Sequence, residues 1–196
     1  MLILVLLCLV VGAGVYLISI YNTLVSLKAR LENAFAQIEV QLKRRYDLIP
    51  NIVEVAKAYL KHEGDTLLDV VSARNEAADS LKAAAARPGD PASMSALSSA
   101  EQRLAGSFNG LRVRMEAYPD LKADQMLRQL SEELSSTENR VAFARQAFND
   151  SVTAYNIRRN SFPSALVANA CGHTRDAALL QFSESEAMQA APKIAL

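Results

Sequence analysis

The chain has 196 residues in which 21 Lys and Arg are balanced by 21 Asp and Glu, so no charge excess points to nucleic acid as a partner. Trp is absent, there are seven Gly and six Pro, and Ala, Leu, Glu, Arg, Lys and Gln dominate after residue 20, a composition of helix formers. Two cysteines, Cys8 and Cys171, are too few for a disulfide framework.

Residues 1–20 contain no charged side chain, and Ser19 alone is clearly polar. As a helix they reach about 30 Å, the hydrocarbon thickness of a bilayer, with their backbone hydrogen bonds satisfied internally. No Lys or Arg precedes the run and no A-x-A pattern follows it. Leu7 stands before Cys8, where a lipoprotein signal wants a small residue. The expectation is a retained transmembrane anchor in contact with lipid. Lys28 and Arg30 follow it, so the positive-inside rule places the N-terminus outside and the next domain in the cytoplasm.

Residues 21–46 carry Leu24, Leu27, Leu31, Ala34, Phe35, Ile38 and Leu42 at three- and four-residue steps, one apolar stripe on a helix. No breaker separates this stripe from the anchor, so the membrane helix is expected to continue into the domain. A second stretch covers residues 47–86, with Asp47 as N-cap, Pro50 in the first turn and an interruption at Gly64. The pattern fits either a fold-back or a kink at Asp47-Leu48-Ile49-Pro50. Arg87-Pro88-Gly89-Asp90-Pro91 is the clearest loop, Asp90 capping the third stretch and Pro91 opening it. That stretch, residues 91–117, runs through Met94, Leu97, Leu104, Phe108, Leu111 and Met115 to a break at Tyr118-Pro119-Asp120. The fourth, residues 121–160, carries Leu127, Leu130, Leu134, Val141, Ala144, Phe148, Val152 and Tyr155. The chain after Pro163 is weakly patterned, one short helix and then a poorly ordered end, with residues 171–196 as the tail. The expected fold is all-α: an N-terminal transmembrane helix followed by an elongated antiparallel helical bundle over residues 21–170.

Material for catalysis is thin. His62 and His173 are the two histidines, and Cys171-x-His173 supplies only two metal ligands where a zinc site needs more. No H-E-x-x-H, G-x-S-x-G or phosphate-binding glycine loop occurs. Glu132, Glu133 and Glu138 read as a solvated helix face with Arg140 and Arg145. No catalytic residue, metal or cofactor site is assigned. Two features stand out. Lys43-Arg44-Arg45 precedes Asp47-Leu48-Ile49-Pro50-Asn51, and these eight residues form the candidate interaction surface. Aromatic–Asn pairs recur at Tyr21-Asn22, Phe108-Asn109, Phe148-Asn149 and Tyr155-Asn156. Asn22, Asn149, Tyr155 and Asn156 are the candidate residues fixing helix register at a seam.

The run Ile38-x-Val40-Gln41-Leu42-Lys43-Arg44-Arg45-x-Asp47-Leu48-Ile49-Pro50-Asn51 resembles the signature of the LemA family of bacterial membrane proteins. So do Tyr118-Pro119-Asp120-Leu121-Lys122-Ala123, Thr137-Glu138-Asn139-Arg140, and Phe148-Asn149-x-x-Val152-x-x-Tyr155-Asn156 with Phe162-Pro163. The resemblance covers residues 21–168. Phe35, Glu39 and Phe148 depart from the usual Trp, Asp and Tyr. It implies a membrane helix, a long helical bundle on the cytoplasmic side of the inner membrane, and no established enzymatic activity. Genomic association of family members with membrane metalloproteases and TPM-domain proteins, and a relative's part in magnetosome membrane formation, imply membrane organisation or an accessory role.

The leading expectation is therefore a membrane-anchored scaffold or adaptor acting through protein–protein contacts and homo-oligomerisation, with a membrane protease among its candidate partners. The alternatives are a lipid-binding module that organises or shapes the membrane, an accessory subunit of a membrane protease, and an enzyme subunit whose carboxylates and His62 form a metal site only on assembly.

Overall fold

The computed structural model describes residues 1–60, 62–119, 121 and 124–182. Five helices account for most of them: α1 (Leu2–Tyr59), α2 (Gly64–Ala86), α3 (Pro91–Glu116), α4 (Gln125–Asn160) and α5 (Ser164–Ala170), with no strand among the described residues. The architecture is all-α. An apolar N-terminal segment of α1 projects from an antiparallel bundle. Of the tail, residues 183–196 lie outside the described residues, as do Asp120, Lys122 and Ala123 of the Tyr118 motif.

α1 is the spine. Its 58 residues correspond to about 87 Å of helix. Along the run from Leu2 to Ile18 the large apolar side chains stay exposed, and burial begins at Ile20 and Leu24. This end is long and apolar enough to cross a membrane. From Leu31 onward the stripe Phe35, Ile38, Leu42, Ile49, Ile52 and Ala56 is buried in the common core.

α4 lies antiparallel along α1, its buried Leu127, Leu134, Val141, Phe148 and Tyr155 recurring every seventh residue. A seven-residue seam of this kind keeps one face against its neighbour over many turns. Phe35 and Phe148 meet edge to face, with centroids 5.4 Å apart. α2 and α3 form a hairpin whose seam includes the small residues Ala73, Ala77, Ala84 and Ala100, and α2 packs against α1. Both Asp90 and Asp124 cap as their positions suggest, accepting from Ser93 N at 3.0 Å and Leu127 N at 2.9 Å. Gly89 in the α2–α3 loop has φ +82°, and a Cβ there would sit 2.9 Å from that of Ala177.

Of the two readings at residues 47–50, the fold-back is excluded. Asp47 is no N-cap, the chain neither folds back nor starts a new helix there, and α1 ends only at Tyr59, shortly before α2 starts at Gly64. Pro50 sits inside α1, where its missing N–H would leave the Tyr46 carbonyl without its usual partner. Arg74 of α2 fills that place, donating from Nε to Tyr46 O at 3.0 Å. A contact from another helix thus supplies what local sequence cannot.

Arg74→Met should lower the unfolding free energy by about 1–3 kcal/mol, the cost of orphaning a partly buried carbonyl, as read by denaturant melting in detergent. Pro50→Ala restores an N–H to that carbonyl. It should recover much of the loss in the Arg74→Met background and add little to the parent. Equal effects in both backgrounds would break the link.

Candidate functional site

The eight residues from Lys43 to Asn51 singled out as an interaction surface do not share one face of α1. The helical turn spreads them round α1. Lys43 pairs with Glu39 on the exposed side at 2.6 Å, and Arg44 reaches Glu133 of α4 at 2.7 Å. Leu48 and Ile49 are core residues, whereas Asp47, Pro50 and Asn51 lie outside the core. Arg45 turns inward.

Around Arg45 is the most desolvated polar cluster described. Glu101 of α3 is 3% exposed; one carboxylate oxygen accepts the Tyr46 hydroxyl, and the other lies 3.1 Å from the Arg45 guanidinium. Burial first, and then the Glu101 charge, push the Tyr46 phenol far above its ordinary value, so it remains a donor. A buried carboxylate bonded by a phenol and facing a guanidinium is a compensated charge that ties α3 to α1, although the oxygen facing Arg45 accepts no hydrogen bond.

The aromatic–Asn pairs of α4 hold something other than a neighbouring helix. After α5 and a turn at Gly172, the chain returns along the bundle as a strap, residues 173–182, without regular secondary structure. Asn156 donates to Ala177 O and accepts from Ala177 N, both at 2.9 Å. Asn149 does the same for Leu180, at 3.1 and 2.9 Å. Seven helical residues separate the two amides, about 10.5 Å along the axis, and three residues of nearly extended chain cover the same distance. The spacing of the asparagines therefore selects an extended segment, and each reads its backbone alone. Leu180 fills the core beneath, and Ala178 N donates to Gly89 O at 2.8 Å.

Arg159 starts the strap. Its guanidinium donates to the carbonyls of His173 and Thr174 and to Asp176 Oδ1, at 2.8, 2.6 and 2.6 Å. His173 is buried, its Nδ1 2.9 Å from the Tyr155 hydroxyl and its ring 6.5 Å from that of Tyr21. Tyr155 thus belongs to this strap contact, while Asn22 is exposed on α1. Cys171 is exposed and forms no disulfide. Among the described residues no group of three His, Cys, Asp or Glu side chains could hold a metal ion.

The strap occupies only the upper part of a groove between α3 and α4. Below Phe182, whose ring lies 4.8 Å under the Arg145 guanidinium, the groove continues as a cleft of about 660 Å³. Its floor is Ile49, Leu104 and Leu134; Arg45 and Glu101 lie at its base, and Gln102, Asn109 and Arg112 line the α3 side. Sequence reasoning passed over Arg159 and Glu101. The available signal was position: Arg159 follows Asn156 on the same helical face, and Glu101 interrupts the apolar stripe of α3.

The chain belongs to the LemA family, whose model matches residues 34–196. No curated protein matches it.

Asn156→Ala removes two bonds to half-buried backbone and should weaken strap docking by about 1–3 kcal/mol, read as lost amide protection at Ala177 with helix content intact. A pH dependence should accompany it. Burial, then the charges of Lys28 and Arg159, hold the His173 pKa below its ordinary 6.5, so the folded state favours the neutral ring hydrogen-bonded to Tyr155. That stabilisation is complete above the unfolded value and is lost as pH falls through the folded one. Protection factors at Ala177 and Leu180 should therefore be lower at about pH 5 than at about pH 7.5, and His173→Gln should flatten the difference.

Proposed function

We propose that this LemA-family chain is a membrane-anchored scaffold or adaptor that works through protein–protein contacts and self-assembly, with no catalysis of its own. The apolar end of α1 crosses the bacterial inner membrane once. Lys28 and Arg30, the first charges beyond the apolar run, favour the N-terminus outside and the bundle in the cytoplasm. A membrane protease fits as a hetero-partner, because a bundle standing on such an anchor can present a second protein at the bilayer surface.

The observation that carries this reading is the α3–α4 groove. Its upper half already takes an extended segment through main-chain bonds from Asn149 and Asn156. Its lower half is an open cleft whose lining includes Gln102 and Asn109, which are also seven residues apart. Repetition of the spacing supports the cleft as a seat for a further extended segment. The internal pairing of Arg45 with Glu101 argues against acid–base chemistry at its base.

The test is the mass of the detergent-solubilised full chain by light scattering, with crosslinking in intact membranes. A defined assembly is expected, and Gln102→Ala with Asn109→Ala and Arg112→Glu should reduce it at least severalfold while the melting curve stays in place. A monomer with no crosslinked partner, or an assembly indifferent to the triple substitution, would defeat this assignment. Arg45 is unsuitable for such a test: Arg45→Ala leaves Glu101 buried and without its cation, and should cost about 3–5 kcal/mol of stability.

A further inference from the structure

We infer that the corner between α4 and α5 is a second membrane contact, with Phe162 and Leu166 entering the headgroup layer beside the point where α1 leaves the bilayer. The inference rests on the proposed crossing by α1 and goes beyond it. Its starting point is where α5 sits. Val167 and Ala168 pack on Ile20 and Leu24, the first buried side chains of α1. The exposed apolar run before Ile20 accounts for about 28 Å of helix, close to the hydrocarbon thickness, so the lipid boundary falls next to Ile20. Leu24 is about 6 Å further on, within the depth of the headgroup region. A helix packed across both residues lies in that layer.

The antiparallel register of α4 agrees. Phe35 meets Phe148 and Arg44 meets Glu133, so the end of α4 at Asn160 returns to the level of Ile20 and Leu24.

The surface at this level is apolar where it faces away from the bundle. Phe162 is 84% exposed, more than any other large apolar residue after the N-terminal run among the described residues, and Leu166 is 66% exposed. Ile157, Tyr21 and Val25 add partly or largely exposed apolar surface at the same height. Ser164 and Ala168, four residues apart, are buried, so α5 has an inner face on the bundle and presents Leu166 outward. Lys28 and Arg30, exposed just above on α1, stand where lipid phosphates would be. An aromatic and an aliphatic side chain projecting at headgroup depth, with cations above them, match an interfacial anchor, and Tyr21 has the amphipathic ring common in that layer. Of the occupants open to this patch, a lipid surface is favoured because the patch is continuous with the lipid-facing length of α1.

With two contacts on the membrane, α1 and this corner, the bundle keeps one tilt and one rotation about α1. Neighbouring copies would then present their α3–α4 grooves at one height.

The absence of Trp from the sequence makes a clean test possible. Three full-length chains, each with a single indole from Phe162→Trp, Val15→Trp or Phe143→Trp, are reconstituted into phosphatidylcholine–phosphatidylglycerol vesicles with and without bromine on the acyl chains. Phe143 is 74% exposed on α4 and level with Val40, about 30 Å beyond Ile20, so an indole in its place reports water. The Phe162→Trp chain should emit to the blue and lose much of its emission to bromine near the headgroups. The Val15→Trp chain should be quenched by bromine deeper in the acyl chains, and the Phe143→Trp chain should show neither effect. Leu166→Trp reads the same corner should Phe162→Trp perturb the turn. If the Val15→Trp chain is quenched while the Phe162→Trp and Leu166→Trp chains emit as in water, the corner contact is overturned and the crossing stands. If the Val15→Trp chain is not quenched, the crossing falls and the corner contact with it.

Discussion

The structure depends on the continuity of α1 across Pro50. A proline in a helix interior removes one hydrogen bond and crowds the carbonyl four residues back. Here that carbonyl, on Tyr46, accepts Arg74 from α2 instead. Because the helix does not break, the apolar segment and the core stripe form one element, and every other helix is placed by its distance along it. α4 returns beside α1 to the level of Ile20, α2 and α3 cover its far half, and α5 closes the near end. A break at Pro50 would uncouple the two ends of α1; the Arg74 bond keeps them one lever.

Polar groups inside the bundle are used for attachment. Glu101 is neutralised by Arg45 and bonded by Tyr46, which fixes α3 against α1. Asn149 and Asn156 use their amides on backbone groups that no helix or sheet would otherwise satisfy, so an irregular segment can lie against the core without unpaired N–H or C=O groups at those points. The groove between α3 and α4 is the part that goes beyond self-support, since half of it remains open.

Much of the architecture was legible in the chain because helices announce themselves by period. The apolar run, the stripes at three- and four-residue steps, and the loop Arg87-Pro88-Gly89-Asp90-Pro91 with its capping Asp90 needed only local rules. The same rules left fold-back and kink both open at residues 47–50, because Pro50 reads as a boundary unless the partner that compensates for it is known. They also grouped Lys43 to Asn51 as one surface, when a helix sends those side chains to core, to α4 and to solvent.

The tail shows most clearly where local reading ends. Residues 173–182 have no period, so nothing in them announces order; their order comes from Asn149, Asn156 and Arg159, up to 31 residues away in the chain. The helical class, the membrane-spanning length and the stripes that form the core could all be read from the chain, since each follows from the periodicity and hydrophobicity of neighbouring residues. It took the packing of the helices to establish that Pro50 is tolerated, that Glu101 is paired and that the tail is a strap half filling a groove. Each of those depends on which distant group supplies a hydrogen bond to a backbone or charge that would otherwise be left without one.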